Sequence, residues 1–404
     1  LNSFAKIVKQ SWLNIHTDLD HSIPLTEIAT PSSSEPVASR VRDLRLDFWR
    51  GLCLIDMVLV HMVYEKIYFG PYLGPLFSEY ARFAAGGFIL IAGMSIGAIF
   101  LPRALNDQTR RETYVALIRR AGWILLIHYL ASITFYWLDA SLGRMNPVSA
   151  FEPELWLILT FRAGGDLLPF YVVMIALSPL MLEMLRRKLN WLLAVISLGL
   201  FITGQWYPNF GSIPLPEQRF HVILWQCIFV AGLLCGSALP KYDALAQRTK
   251  LLIGTACAVG FVLIFWSDYG LGFGLPKLNL GLTFHKIPLS DGEVFRYFTL
   301  IGVILVFTDL IWLRIRDSSP VAFVRQLGRK SLAVYVAHVW IVSILATYAW
   351  RMHDIDLWHW QGLLAIPAIL LLWCYAWAWE RWGWKTRRRR PKPTPPPILA
   401  ATGS

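Results

Sequence analysis

The chain has 404 residues, 56% of them hydrophobic and only 16% charged, with 19 Trp and a mean hydropathy of +0.48, a balance that excludes an ordinary water-soluble domain. Its formal net charge of +12 would suit nucleic acid, but the basic residues gather in alternate loops between apolar runs, as membrane topology requires. No nucleic-acid partner is expected.

Residues 1–44 read as a cytoplasmic N-terminal segment, with Ser32-Ser33-Ser34-Glu35-Pro36 as a flexible linker. This stretch shows no short apolar core followed by a small-residue cleavage site, so no signal peptide is expected. From residue 45 to 384 runs of about 20 apolar residues recur, each long enough to cross a bilayer. About ten spans are expected, near 46–66, 79–101, 114–138, 166–185, 190–204, 220–239, 250–266, 294–313, 321–347 and 358–382. The fold class is therefore all-α, a polytopic helical membrane bundle whose lipid-facing surface is apolar.

The first span carries Arg45, Asp47, Arg50, Asp56 and His61. Arg50 and His61 are eleven residues apart, a step that returns to within about 20° on a helix and covers roughly 16 Å. Asp47 lies within about 60° of both, and Asp56 points the other way. His61 stands about 24 Å from Arg45, in the outer half of a bilayer. Ionisable groups at such depth suggest a buried site. A neutral imidazole there can act as general base on a hydroxyl arriving from outside. Arg50 can pair with Asp47 or contact the phosphates of a donor entering from the cytoplasm. Alternatively, the three charged residues at the inner end anchor topology and His61 caps a packed helix end.

In the second span Gly86, Gly87, Gly93 and Gly97 include a Gly93-x-x-x-Gly97 step, which lets helices approach closely. Basic residues then mark every second loop: Arg103, Arg110, Arg111, Arg119 and Arg120; Arg186, Arg187 and Lys188; Lys241, Arg248 and Lys250; Arg314, Arg316, Arg325, Arg329 and Lys330; and Arg387 to Arg390 after the tenth span. With Arg40, Arg42 and Arg45 before the first span, this puts both termini in the cytoplasm. The opposite loops, 139–165, 205–219, 267–293 and 351–357, hold Trp206, Asn209, Glu217, His285, Asp291, Glu293, His353, Asp354 and Asp356. Such acids and aromatics suit a carbohydrate-binding surface, with Trp206, Asp291 and Glu293 as candidates. They equally suit a wet loop with interface aromatics.

The ninth span opens Gln326-Leu-Gly328-Arg329-Lys330-Ser331 and places Ser331, Tyr335 and His338 on one helical stripe. The stripe either lines a donor channel or glues helices by hydrogen bonds. Residues 385–404 form a basic, Pro-rich tail, expected to be disordered. The five cysteines fall in apolar runs without metal-ligand spacing to histidine, so neither a metal nor a disulfide framework is expected. Phosphate-cradling loops, dinucleotide fingerprints and a nucleophile-elbow serine are absent.

The segment Arg45-Leu-Asp47-Phe-Trp-Arg50-Gly51-Leu followed by His61 resembles the first span of the OpgC family of integral-membrane acyltransferases. Asp166-Leu-Leu-Pro169-Phe-Tyr171, Trp225-Gln226-Cys-Ile-Phe229-Val-Ala-Gly232, Lys277-Leu-Asn279-Leu280-Gly281 and Leu327-Gly328-Arg329-Lys330-Ser331-Leu332 resemble four further segments of that family, in order. The Arg-x10-His spacing is also similar to that of the broader type-three membrane acyltransferases. Two departures stand out. Adjacent pairs Arg110-Arg111 and Arg119-Arg120 replace an Arg-x-x-Arg motif, and Phe88-Ile-Leu-Ile-Ala92-Gly93 lacks a more polar Ser-Gly form.

The resemblance implies transfer of a succinyl or other acyl group to periplasmic glucan or polysaccharide in the bacterial inner membrane, with acyl-CoA as co-substrate. His61, Arg50 and Asp47 would be catalytic. Arg119, Arg120, Arg329, Ser331, Tyr335 and His338 would line the donor side. A competing class is a transporter or lipid-linked sugar flippase, but the internal repeat common in transporters is not visible between the two halves.

Overall fold

The computed structural model describes residues 43–80, 83–141, 167–207, 212–214, 219–270, 276–285, 288–354 and 358–382. Most of the expected segment 1–44 and all of the tail 385–404 lie outside these residues. The first helix, α1 (Leu44–Tyr64), starts where the Asp43 carboxylate accepts the Arg45 backbone N–H at 2.9 Å, a side-chain cap on an otherwise orphan donor. It ends three residues past His61. There Lys66 takes a left-handed φ of 60°, its N–H donating to Val63 O and that of Ile67 to Met62 O, a Schellman closure with lysine where glycine is usual.

The chain continues through α2 (Gly70–Tyr80), α3 (Phe83–Ser95), a π-helical turn (Ile96–Phe100), α4 (Leu101–Leu105) and α5 (Asp107–Ser141). Then come α6 (Leu167–Arg186), α7 (Asn190–Trp206), a two-stranded antiparallel ribbon of β1 (Ser212–Pro214) and β2 (Arg219–His221), and α8 (Val222–Asp243). The ribbon pairs Ser212 with His221. After it follow α9 (Gln247–Tyr269), α10 (Asp291–Ile315), α11 (Ser319–Arg329), α12 (Ser331–Asp354), a 3-10 turn (Trp358–Leu364) and α13 (Ala365–Trp382).

Among the described residues, 8 helical stretches are long and apolar enough to cross a membrane. Two expected spans fall short of that standard for visible reasons. The 21 residues of α1 include four charged groups, and α7 has 17 residues. The stretch expected as one span over 321–347 is two helices, broken at Lys330 between α11 and α12.

That break has a packing reason. A β-carbon on Gly328 would overlap the backbone carbonyl of Asp47, and one on Gly51 would overlap that of Val324. Two glycines thus let α11 lie directly against the first half of α1, and the chain must turn at Lys330 before α12 can run alongside the second half. A second crossing uses four glycines. Gly93 of α3 and Gly97 of the π-helical turn abut the Phe229 and Leu233 carbonyls, while Gly232 and Gly236 of α8 abut those of Leu90 and Met94. This is backbone-on-backbone packing of the kind that holds helices together where lipid gives no hydrophobic drive. The stretch around α3 is 72% buried, while that of α9 is 11% buried, so α3 is central and α9 turns its apolar side chains outward.

One end of the bundle is tied by ions. Arg45 bridges Asp43 and Asp243, each at 2.8 Å, and reaches Asp309, which also holds Lys250 at 3.0 Å. The start of α1 and α9 and the ends of α8 and α10 therefore meet, as the alternation of basic loops requires. These helices, up to Ala376, belong to one compact unit, Arg40–Ala376. Of the other unit the described residues are 377–382, where the Arg381 guanidinium lies 5.2 Å from the Trp377 ring centre.

Candidate functional site

Asp47 is 1% exposed on α1, and one turn on, Arg50 Nη1 donates to its Oδ1 at 3.0 Å. The other arm of the guanidinium donates to Ser95 Oγ on α3, whose own proton goes to Ile91 O at 2.6 Å. Ser95 is the last residue before the π-helical turn, a local widening frequent at functional sites. Arg120 of α5 lies within electrostatic reach of Arg50. Two guanidiniums and one carboxylate leave an excess of positive charge, which favours an anion such as a phosphate or the oxyanion of an acyl group. Arg119, one step around the same helix, is exposed and faces elsewhere. Arg329 is exposed at the end of α11, next to the Gly328 that abuts Asp47, and half-buried Ser331 opens α12.

From Arg50 a column of aromatic and polar side chains runs through the interior. The Tyr171 ring of α6 meets Phe88 edge-on at 5.8 Å, and Phe88 stacks on Tyr335 at 5.9 Å with planes 18° apart. The Tyr171 hydroxyl is buried without a hydrogen bond among the described residues, within electrostatic reach of Tyr335, Cys53 and Arg50. Tyr335 in turn lies 5.1 Å from His338, and His338 lies 5.1 Å from His61. Four helices thus supply one continuous stripe, with Arg50 at one end and two imidazoles at the other. An unpaired buried hydroxyl is costly, by about 1–3 kcal/mol, so a stripe holding one is suited to a polar visitor.

Beyond the imidazoles lies an acidic cluster at the opposite end from the Arg45 network. Glu293 is 0% exposed, its Oε2 3.2 Å from Arg296 Nη1. Arg296 also pairs with Asp268 and stacks against Tyr269 and Phe284. Tyr297, packed against Trp225 at 5.8 Å, is within electrostatic reach of Glu293 and of Tyr64. Tyr64 is itself 6.2 Å from the His61 ring. Asp291 is otherwise occupied. Its Oδ1 accepts Thr283 N–H, Thr283 O–H and Gly292 N–H at 3.1, 2.9 and 2.8 Å, which pins the preceding loop to the start of α10. Trp206 is 76% exposed at the end of α7, beside Gln205, whose side chain donates to Leu289 O at 2.7 Å. Asn209, Glu217 and Asp356 lie outside the described residues.

Of the residues expected from sequence, Asp47, Arg50 and Arg120 gather at one end, and His61, Tyr335 and His338 at the other. Arg119, Trp206 and Asp291 do not join them. Ser95 and Tyr171 were missed as site residues. Ser95 had a signal, a lone hydroxyl among apolar neighbours 88–101. Tyr171 stood only in a segment resembling the family, and the fold brings it to Arg50. Among the described residues no three of His, Cys, Asp and Glu gather as metal ligands.

Two comparisons complete the picture. The family described as OpgC protein matches residues 42–384 of the chain. No curated protein matches it.

Proposed function

The chain belongs to the OpgC family and is a multi-pass membrane protein, and from that premise we propose that it is an acyltransferase, moving a succinyl group from cytoplasmic acyl-CoA to a hydroxyl of periplasmic glucan across the bacterial inner membrane. The observation that carries the reading is the polar stripe: it joins a cationic end at Arg50 and Arg120 to an imidazole end at His61. A thioester and a sugar hydroxyl approaching from opposite sides would meet at such a place.

In this reading both termini are cytoplasmic and the Arg45 network faces the cytoplasm. Arg120, with Arg119 and Arg329 towards the loops, attracts the phosphates of the donor. Ser331 and Tyr335 line its path. His61 takes the proton of the acceptor hydroxyl as its oxygen bonds to the thioester carbonyl carbon. The carbon–sulfur bond then breaks, and the proton passes from His61 to the departing CoA thiolate. Arg50, held by Asp47, stabilises the negative charge that develops on the carbonyl oxygen or orients the donor. Glu293 and Trp206 serve the sugar on the outer side.

Mass spectrometry of periplasmic glucans from cells with and without the protein tests the activity. Succinyl transfer appears as a gain of about 100 Da per modified hydroxyl and acetyl transfer as about 42 Da. His61→Ala tests the base, with glucan modification expected to fall at least about 100-fold. A folded His61→Ala variant working at the normal rate removes the assignment. Unmodified glucan together with solute counterflow in proteoliposomes replaces the enzyme by a transporter.

A further inference from the structure

His338 is wholly buried on α12, and its Nδ1 lies against the backbone carbonyl oxygen of Tyr335. A carbonyl oxygen only accepts, so in the neutral ring Nδ1 bears the hydrogen and Nε2 presents a bare lone pair. That Nε2 has no hydrogen-bond partner among the described residues. The other neighbours of the ring do not use it either: Tyr335 meets it through its ring face or edge, at 5.1 Å between centres.

An acceptor kept dry and unpaired has to be matched by a donor during the working cycle, or the helix would do better with an apolar residue. The facing ring is that of His61, with centres 5.1 Å apart and planes inclined by 57°. As they stand the two rings make no hydrogen bond through that Nε2, but at this spacing a turn of the His61 ring brings one of its nitrogens within hydrogen-bond reach of it. Such contacts are often incomplete before substrate binds and tighten afterwards.

We propose that His338 is the positioning residue of the base: its Nε2 accepts the N–H of His61 and so fixes which nitrogen of His61 faces the acceptor hydroxyl. This rests on the reading of His61 as base. The chain of donors is then complete. Tyr335 O accepts from His338 Nδ1–H, His338 Nε2 accepts from one His61 nitrogen, and the other His61 nitrogen takes the hydroxyl proton. His338 holds the imidazolium that forms on His61 as the carboxylate does in a serine-hydrolase triad, but as a neutral acceptor. The proton leaves with the CoA thiolate and the pair returns to two neutral rings. Two charged rings at this distance would repel, so the pair takes up at most one proton beyond those of the two neutral rings.

The test uses the full chain in nanodiscs, with succinyl-CoA and extracted periplasmic glucan, and release of the free thiol of CoA as readout. His338→Asn keeps an N–H where Nδ1 stands, so the bond to Tyr335 O survives while the Nε2 acceptor is lost. Its kcat is expected to fall about 100-fold with KM for succinyl-CoA unchanged. His338→Gln restores an acceptor oxygen near the Nε2 position and is expected to recover most of that loss. Normal kcat in His338→Asn, or no recovery in His338→Gln, overturns the proposal while leaving the acyltransferase reading intact. No thiol release by the unmutated protein removes both. A measurement free of any folding defect is the 15N spectrum of histidines in the unmutated chain. His338 is expected as the Nδ1–H tautomer, and a hydrogen on its Nε2 would overturn the proposal.

Discussion

Arg50→Ala is the most informative single change. It leaves the Asp47 carboxylate, 1% exposed, without the cation 3.0 Å away. Removing one partner from a buried ion pair costs about 3–5 kcal/mol, mostly because the remaining charge is stranded. The Arg50 side chain retains 18% exposure, so the lower end, about 3 kcal/mol, is the expected loss of stability. That corresponds to a shift of more than 100-fold in the folding equilibrium. Neutralising the stranded group should reverse most of it, with Asp47→Asn/Arg50→Gln returning to within about 1 kcal/mol of the parent. Unfolding from mixed micelles by added SDS, followed through Trp fluorescence, measures both. Acyl transfer then separates two roles. If Arg50 works on the donor, activity stays lost in the double variant although stability returns. A single variant as stable as the parent would refute the burial argument, and a double variant with full activity would reduce Arg50 to a counter-ion.

The glycine crossing gives a prediction with its own control. Gly93→Val or Gly236→Val should abolish monodisperse protein in fluorescence-detected size exclusion, since each side chain would meet a partner-helix carbonyl, whereas Gly199→Ala, with open space around it, should be neutral or stabilise by about 0.5–1 kcal/mol. On α8, Gln226 donates to Ser197 O at 2.7 Å and accepts from Ser197 Oγ at 2.8 Å. Gln226→Leu should cost about 1–2 kcal/mol, with part returned when Ser197→Ala is added, as read in the same SDS titration.

Much of the site was within reach of sequence because α1 carries it on one helix. The step from Arg50 to His61 is set by helical geometry alone, and the ion pair of Asp47 with Arg50 follows from their three-residue spacing. The stripe of Ser331, Tyr335 and His338 was equally visible, though its direction of use was not. What sat on that stripe opposite His338 depended on how α12 lies against α1, and that follows from the turn at Lys330. At the opposite end the residue types alone did not show the local hydrogen bonding. Asp291 looks like an acceptor-binding acid in a polar loop, yet its oxygen already holds three donors of its own loop and helix turn.

By itself the sequence determined that this is a helical membrane protein, where its apolar runs lie and which ionisable groups share a helix face. Those properties are local, fixed by hydropathy and the 3.6-residue turn. Only the tertiary structure decided that Ser95, Arg120 and Tyr171 come to Arg50, and that the ring facing His61 is His338. Those meetings join residues from 45 to 277 positions apart in the chain. They are set by where glycines allow two backbones to touch, at Gly51 with Gly328 and at Gly93 and Gly97 with Gly232 and Gly236. A glycine in a sequence announces that something can come close. It does not say what.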